Sequence, residues 1–388
     1  MRDMVEIGMG RTARRTYELQ DVNIVPSRRT RSSKEVSTAW QLDAYRFDTP
    51  ILSHPTDAIG SPEFAIELGK LGGLGVLNAE GLFSRHRDAE AKIREVVELA
   101  ASDITGVAAI RKLQLLHAAP VDPELLAAAV TRVRDAGVTV AVRVSPQRAR
   151  ELTPTLLQAG IDLLVIHGTI ISAEHVSAEE PSGEPLNLKT FIGDLDVPVV
   201  AGGVSDHRTA LHLMRTGAAG VIVGYGSAEG ATTTREVLGI GVPMATAIAD
   251  AAAARRDYLD ETGGRYVHVI ADGDIYSSGD VARAIACGAD ATMLGAPLAV
   301  AAEAPGKGWY WPSVAAHPSM PRGAVAPAQL SGLDARDGAA PSLQTILTGP
   351  SVEPNGQLNL VGGLRRSMAK SGYSELKEFQ KVGLNVAN

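Results

Sequence analysis

Eight short β-branched or aliphatic runs, each ending in a polar or glycine-bearing loop, constrain the fold of this chain more than any other feature. They are "PILSHPTD" (50–57), "GLGVLNAEG" (73–81), "VTVAVRVSP" (138–146), "DLLVIHGT" (162–169), "PVVAGG" (198–203), "GVIVGYG" (220–226), "VHVIADGD" (267–274) and "ATMLGAP" (291–297). Between them lie segments such as "PEFAIELGKLG", "PELLAAAVTRVRDAG" and "SGDVARAIACGAD". These carry apolar residues at helical spacing and a glycine near the C-terminal end, where a left-handed cap is needed. Eight alternations of buried strand and helix predict an α/β fold, a closed (β/α)8 TIM barrel, because continuously apolar strands suit a parallel sheet covered on both faces. An open doubly wound sheet is the alternative; it calls for G-x-G-x-x-G after the first strand, and none stands there.

The length, 388 residues, fits one barrel with additions. The reading is an N-terminal arm (1–50), the barrel (51–303), a Pro-, Gly- and Ser-rich flap or insertion (304–358) containing "WYW" at 309–311, and a C-terminal helical segment and tail (359–388). Hydrophobic residues make up 45% of the chain and aromatics 4%, against 40 glycines, so the core is expected to be aliphatic with many tight turns. A net charge of −7, with no long Lys/Arg run, excludes the footprint of a nucleic-acid binder. The basic stretch "GRTARRTYELQDVNIVPSRRTRSS" reads as a solvated or subunit-facing arm. No apolar stretch approaches the ~20 residues of a membrane span and the N-terminus lacks a signal peptide's apolar segment, so the expectation is a cytoplasmic protein with no membrane partner. The one cysteine, Cys287, excludes an intramolecular disulfide and any Cys-rich metal site.

In a barrel of this kind the reactive groups project from the strand C-terminal ends. Those ends carry His54, Thr56, Asp57, Asn78, His167, the 224–235 loop, Asp272, Asp274 and Ala296. His54 and His167 can take or give a proton near neutral pH, against a plain hydrogen-bonding role. Two histidines with Asp57, Glu229 or Asp274 could in principle hold a metal, but no tight ligand spacing exists and no metal site is expected.

Four stretches are similar to the IMP dehydrogenase/GMP reductase family, most of all to the short actinobacterial and cyanobacterial branch of IMP dehydrogenase-related proteins. They are "YELQDVNIVPSRRT", "TTTREVLGIGVPMATAIADAAAARRDYLDETGGRYVHVIADG", "GDVARAIACGADATMLGAPLAVAAEAPGKG" and "NLVGGLRRSMAKSGYSELKEF". The resemblance spans nearly the whole chain and implies a bare barrel without the inserted regulatory pair, assembled as a homotetramer. It also implies NAD or NADP as cofactor and a purine nucleoside or nucleotide as ligand. Family chemistry uses a cysteine in a G-x-G-S-x-C-T-T-R loop, a strong nucleophile and good leaving group. Here "SAEGATTTR" places Thr232 at that position, one residue inserted near Glu229, and Gly230 where a serine is expected. A hydroxyl needs an adjacent base, for which Glu229 and His167 are candidates.

The resemblance assigns Asp272 to the ribose diol, and Gly273, Asp274, Gly295, Ala296, Tyr310 and Gly230 to the rest of the substrate site. Asp274 replaces a glycine and Ala296 a serine that hold the phosphate in the family. A carboxylate there repels a phosphate and can accept a hydrogen bond from an unphosphorylated hydroxymethyl group, unless it turns to solvent or pairs with a cation. The nicotinamide side falls to His167, Gly203, Gly224 and Gly226; His167 replaces an aspartate and Gly203 an asparagine. Three functions stay open: altered chemistry on a purine nucleoside, a silent purine-binding relative, or a conventional NAD(P)-dependent oxidoreductase.

Overall fold

A computed structural model describes residues 4–103, 105–168, 170–175, 186–226, 238–317, 323–330, 333–334, 340–351 and 358–386. All eight predicted runs form strands of one parallel sheet: β1 (Ile51–Ser53), β2 (Val76–Asn78), β3 (Ala141–Val144), β4 (Leu163–His167), β5 (Val199–Val204), β6 (Gly220–Val223), β7 (His268–Ala271) and β8 (Ala291–Leu294). From β2 to β8 each strand pairs with the next in sequence, and β8 pairs with β1 in the register Thr292 to Ile51 and Leu294 to Ser53. At the remaining seam the Ser53 N–H donates to the Leu74 carbonyl, the Leu74 N–H to that of Ile51 (both 3.0 Å), and the Val76 N–H to Ser53 Oγ. The sheet thereby closes into a barrel, the predicted architecture, and the open-sheet alternative is set aside.

The surrounding helices are α1 (Pro62–Lys70), α2 (Ala89–Ser102), α3 (Val107–His117), α4 (Pro123–Asp135), α5 (Ala149–Ala159), α6 (Leu188–Gly193), α7 (His207–Met214), α8 (Met244–Thr262), α9 (Ser278–Ala286) and α10 (Ala296–Ala299). Local sequence explains their ends. Ser61, Asp122, Asp206 and Ser277 accept from the first-turn N–H groups of α1, α4, α7 and α9, and Pro62 and Pro123 occupy first-turn positions that need no donor. Gly160 and Gly263 end α5 and α8 in left-handed conformation. Among the described residues no helix is long and apolar enough to cross a membrane.

The arm before the barrel is bound to it in several places. Arg14 pairs with Asp250 on α8, the Tyr17 N–H donates to Thr246 Oγ1, and Arg31 Nε donates to the Gly372 carbonyl, so part of the basic stretch is engaged within the chain. Val22–Ile24 pairs antiparallel with Leu384–Val386. In the stretch read as a flap, Tyr310 and Trp311 are fully buried, and Trp309–Tyr310 pairs with Ala326–Pro327. This part is a packed layer: the Trp311 carbonyl accepts the Thr56 hydroxyl at 2.5 Å, and rings of that size bury enough apolar surface to hold the chain down.

Candidate functional site

Three strand ends converge at the barrel mouth. His54 follows β1, His167 ends β4 and Asp272 follows β7. At least one strand separates any two of these in the sheet, so their side chains meet only by pointing toward the barrel axis. The imidazole rings lie edge to face, with centroids 5.3 Å apart. Asp272 sits between them: His54 Nδ1 is 3.1 Å from Oδ2 and 3.3 Å from Oδ1. His167 Nε2 is 3.3 Å from the same Oδ2. At that distance the alignment is too poor for a hydrogen bond, and neither ring nitrogen of His167 makes one. All three residues are at most 4% exposed.

Burial weighs against ionising Asp272, yet the two imidazoles outweigh it and hold the carboxyl well below the usual carboxylate range. His167 is shifted down, first by its burial and further by His54 and Arg143, against the pull of Asp272. At neutral pH the cluster therefore pairs a carboxylate with a neutral His167.

Arg143, on β3, steadies this corner. Its Nε and Nη2 donate to the His167 carbonyl at 3.1 and 2.8 Å, while Nη1 reaches Asn78 Oδ1 and Glu80 Oε1 at 3.3 and 3.4 Å. Glu80 in turn accepts the Ser145 N–H. Sequence reasoning did not single out Arg143 or Glu80; the available signal was an arginine inside the apolar run "VAVRV". It also missed His117, whose Nε2 lies 2.9 Å from Asp57 Oδ2 in a second buried pair.

The other residues named from the sequence divide by what surrounds them. Gly226 lies against His54: a Cβ built on it would stand 3.4 Å from Cε1 of the imidazole. At Gly203 and Gly224 a Cβ would overlap the carbonyl oxygens of Gly224 and Asp272, so these glycines let neighbouring backbone come close. Gly273 packs under Met244, and Asp274, half-buried on the same loop, accepts a hydrogen bond from Tyr276 Oη at 3.0 Å. Gly295 lies against Tyr310, where a Cβ would come 2.6 Å from Oη, and Ala296 is the buried first residue of α10. Glu229, Gly230 and Thr232 lie outside the described residues.

Cys287 caps the C-terminal end of α9. That helix starts after β7 at the mouth and runs back toward the start of β8, so the thiol sits at the opposite end of the barrel from the His54–His167–Asp272 cluster. Burial pushes it up to about 11, away from thiolate character at neutral pH. Iodoacetamide at neutral pH is expected to alkylate the native chain far more slowly than the urea-unfolded one. Equal rates for the two would contradict this.

The family described as IMP dehydrogenase / GMP reductase domain matches residues 16–386. An uncharacterized oxidoreductase of Mycolicibacterium smegmatis is 74% identical over 385 residues, covering 99% of this chain and 100% of that protein. One of Mycobacterium tuberculosis is 72% identical over 383 residues, again 99% and 100%. The crystal structure of an IMP dehydrogenase/GMP reductase-like protein from Corynebacterium glutamicum, 59% identical, matches with a TM-score of 0.91 over 99% of this chain and 98% of that one. By the barrel and by likeness along nearly its whole length, the chain belongs to the IMP dehydrogenase/GMP reductase family.

Proposed function

We propose that the protein acts on a purine nucleoside or nucleotide by chemistry that does not use a cysteine nucleophile. The observation that carries this reading is the place of Cys287: the only thiol in the sequence stands at the far end of the barrel from the polar cluster at the mouth. In this reading His54 and His167 exchange protons with the ligand, and Asp272 receives its ribose hydroxyls. Thr232 and Glu229, which follow β6 in the sequence, belong to the same proposal. Relatives named as oxidoreductases support oxidation or reduction as the reaction class.

Family resemblance brings NAD or NADP, and the described residues fit such a cofactor poorly. Gly203 gives its N–H to the Gly168 carbonyl and its own carbonyl to the Ile171 N–H, while the Gly224 N–H goes to the Val204 carbonyl. Of the four residues assigned to the nicotinamide side, His167 alone has side-chain polar atoms to present. The homotetramer belongs to the same proposal, supported by the exposed Met4, Ile7 and Met9 along the antiparallel pair Met4–Gly8 and Arg11–Arg14, apolar groups suited to a neighbouring subunit.

Asp274 and Ala296 favour an unphosphorylated ligand. A carboxylate near the phosphate position opposes a dianion, and an alanine removes a hydroxyl that would hold it. Calorimetric titration is expected to show tighter binding of inosine than of its 5′-monophosphate. Asp274→Asn is expected to raise nucleotide affinity on the order of tenfold and to leave the nucleoside nearly unaffected. Tighter nucleotide binding by the unaltered protein would sink the substrate class while leaving the thiol-free mechanism standing.

A further inference from the structure

We propose that His54, His167 and Asp272 bind a divalent transition-metal ion of the zinc class at the barrel mouth. The inference goes beyond the purine reading and does not depend on it; an imidazole nitrogen that ligates the ion gives up the proton-exchange role assigned to it above. One ligand atom from each residue lies within 4.8 Å of the others, and the two edges of the triangle that meet at Asp272 Oδ2 are 3.1 and 3.3 Å. Ligands bound at about 2.0–2.1 Å in a tetrahedral arrangement stand about 3.3 Å apart, so these edges already have nearly the right length. Two imidazoles and one carboxylate suit zinc and the later first-row metals better than magnesium or calcium, which prefer all-oxygen sets.

A second observation points the same way. His167 is 4% exposed, yet neither of its ring nitrogens makes a hydrogen bond. Burying such a group without a partner is costly, and a metal on Nε2 would satisfy it. The carboxylate opposes the metal's charge directly, and the nearby Arg143 guanidinium is offset by Glu80. Because Oδ2 is the oxygen close to both imidazoles, it is the metal's ligand, and Oδ1 stays available to a substrate hydroxyl. Three protein ligands leave a coordination position for water, the arrangement of sites that bind and polarise rather than merely hold the fold.

The test uses the full-length protein, stripped with EDTA and titrated with Zn2+ by calorimetry and with Co2+ by visible absorption. One equivalent per chain is expected, with cobalt d–d bands that saturate at one equivalent. His167→Ala and His54→Ala should each weaken Zn2+ by more than about a hundredfold, beyond what loss of a contact supporting a ligand costs. His207→Ala, which removes a half-exposed imidazole paired with Asp257 on the outer shell, should bind as the parent does. Absence of stoichiometric binding by the unaltered protein overturns the proposal, as does binding that survives both site substitutions. Should either site variant fail to fold, a cobalt spectrum of the unaltered protein lacking d–d bands overturns it by itself. None of these readouts involves a purine, so failure of the metal site and failure of the ligand class are separable.

Discussion

Asp290→Ala is expected to destabilise the barrel by about 3–5 kcal/mol, because it strips a buried arginine of its counter-charge. Asp290 immediately precedes β8 and is 3% exposed. Its Oδ2 accepts from Arg255 Nη1 on α8 and from the Val269 N–H on β7, both at 2.8 Å. Its Oδ1 accepts from Tyr266 Oη at 2.8 Å and Gln380 Nε2 at 3.1 Å, and Lys377 Nζ stands 3.6 Å away. One carboxylate thus ties α8, β7 and the C-terminal segment together. Burial alone would raise its proton affinity, but Arg255, Lys377 and His268 together with the Val269 N–H override that and hold it below the usual carboxylate value.

The pH dependence follows with a definite sign. A carboxyl whose folded-state value is depressed contributes stability above its unfolded value, about 3.9, and that contribution disappears as pH falls through the folded value. Acid unfolding of the parent should therefore include an Asp290 component below about pH 4, and Asp290→Ala should lack it. Urea melts at neutral and acid pH, compared for the two proteins and for Asp290→Asn, measure both effects. Coincident neutral-pH midpoints would falsify this account of the network.

Gly224→Ala is the second large effect. Gly224 has φ of +103°, and a Cβ there would overlap the Asp272 carbonyl oxygen while lying 2.9 Å from Met244 Sδ. An alanine must therefore both adopt a backbone conformation L-residues avoid and push the β7 end away, together costing at least about 3 kcal/mol. Since the displaced residue is Asp272, the polar cluster should come apart even in any fraction that stays folded. Gly137→Ala is the control: φ is +74° and no atom lies within 4 Å, so only the left-handed penalty of about 1–2 kcal/mol applies. Thermal melts in which both variants fall equally would show that the close approach of β6 and β7 is not what requires glycine at 224.

Much of this architecture is written plainly in the chain. The eight strands could be read because parallel strands covered on both faces must be continuously apolar, and the starts of α1, α4, α7 and α9 carry a Ser or Asp that caps them. The mouth could be read because barrel topology sends every strand C-terminus to one end, which brought His54, His167 and Asp272 into the candidate set. Their mutual geometry could not: the three are more than a hundred residues apart in sequence, and no local ligand spacing foretells their convergence on one carboxylate oxygen. At Gly203 and Gly224 the structure gives the missing side chain a reason the sequence does not reveal: neighbouring backbone occupies the space a Cβ would take. Arg143 and Asp290 were harder still, because a single charge within an apolar run announces burial without naming its partners.

The antiparallel pairing of Val22–Ile24 with Leu384–Val386 has a consequence for biogenesis. Residue 22 leaves the ribosome long before residue 384, and at 5–20 residues per second the interval is on the order of twenty seconds to a minute. Throughout that wait the early segment has no strand to pair with. Final locking of the amino-terminal arm is therefore a late event, and a nascent chain stalled before residue 384 would hold a closed barrel with its clasp undone.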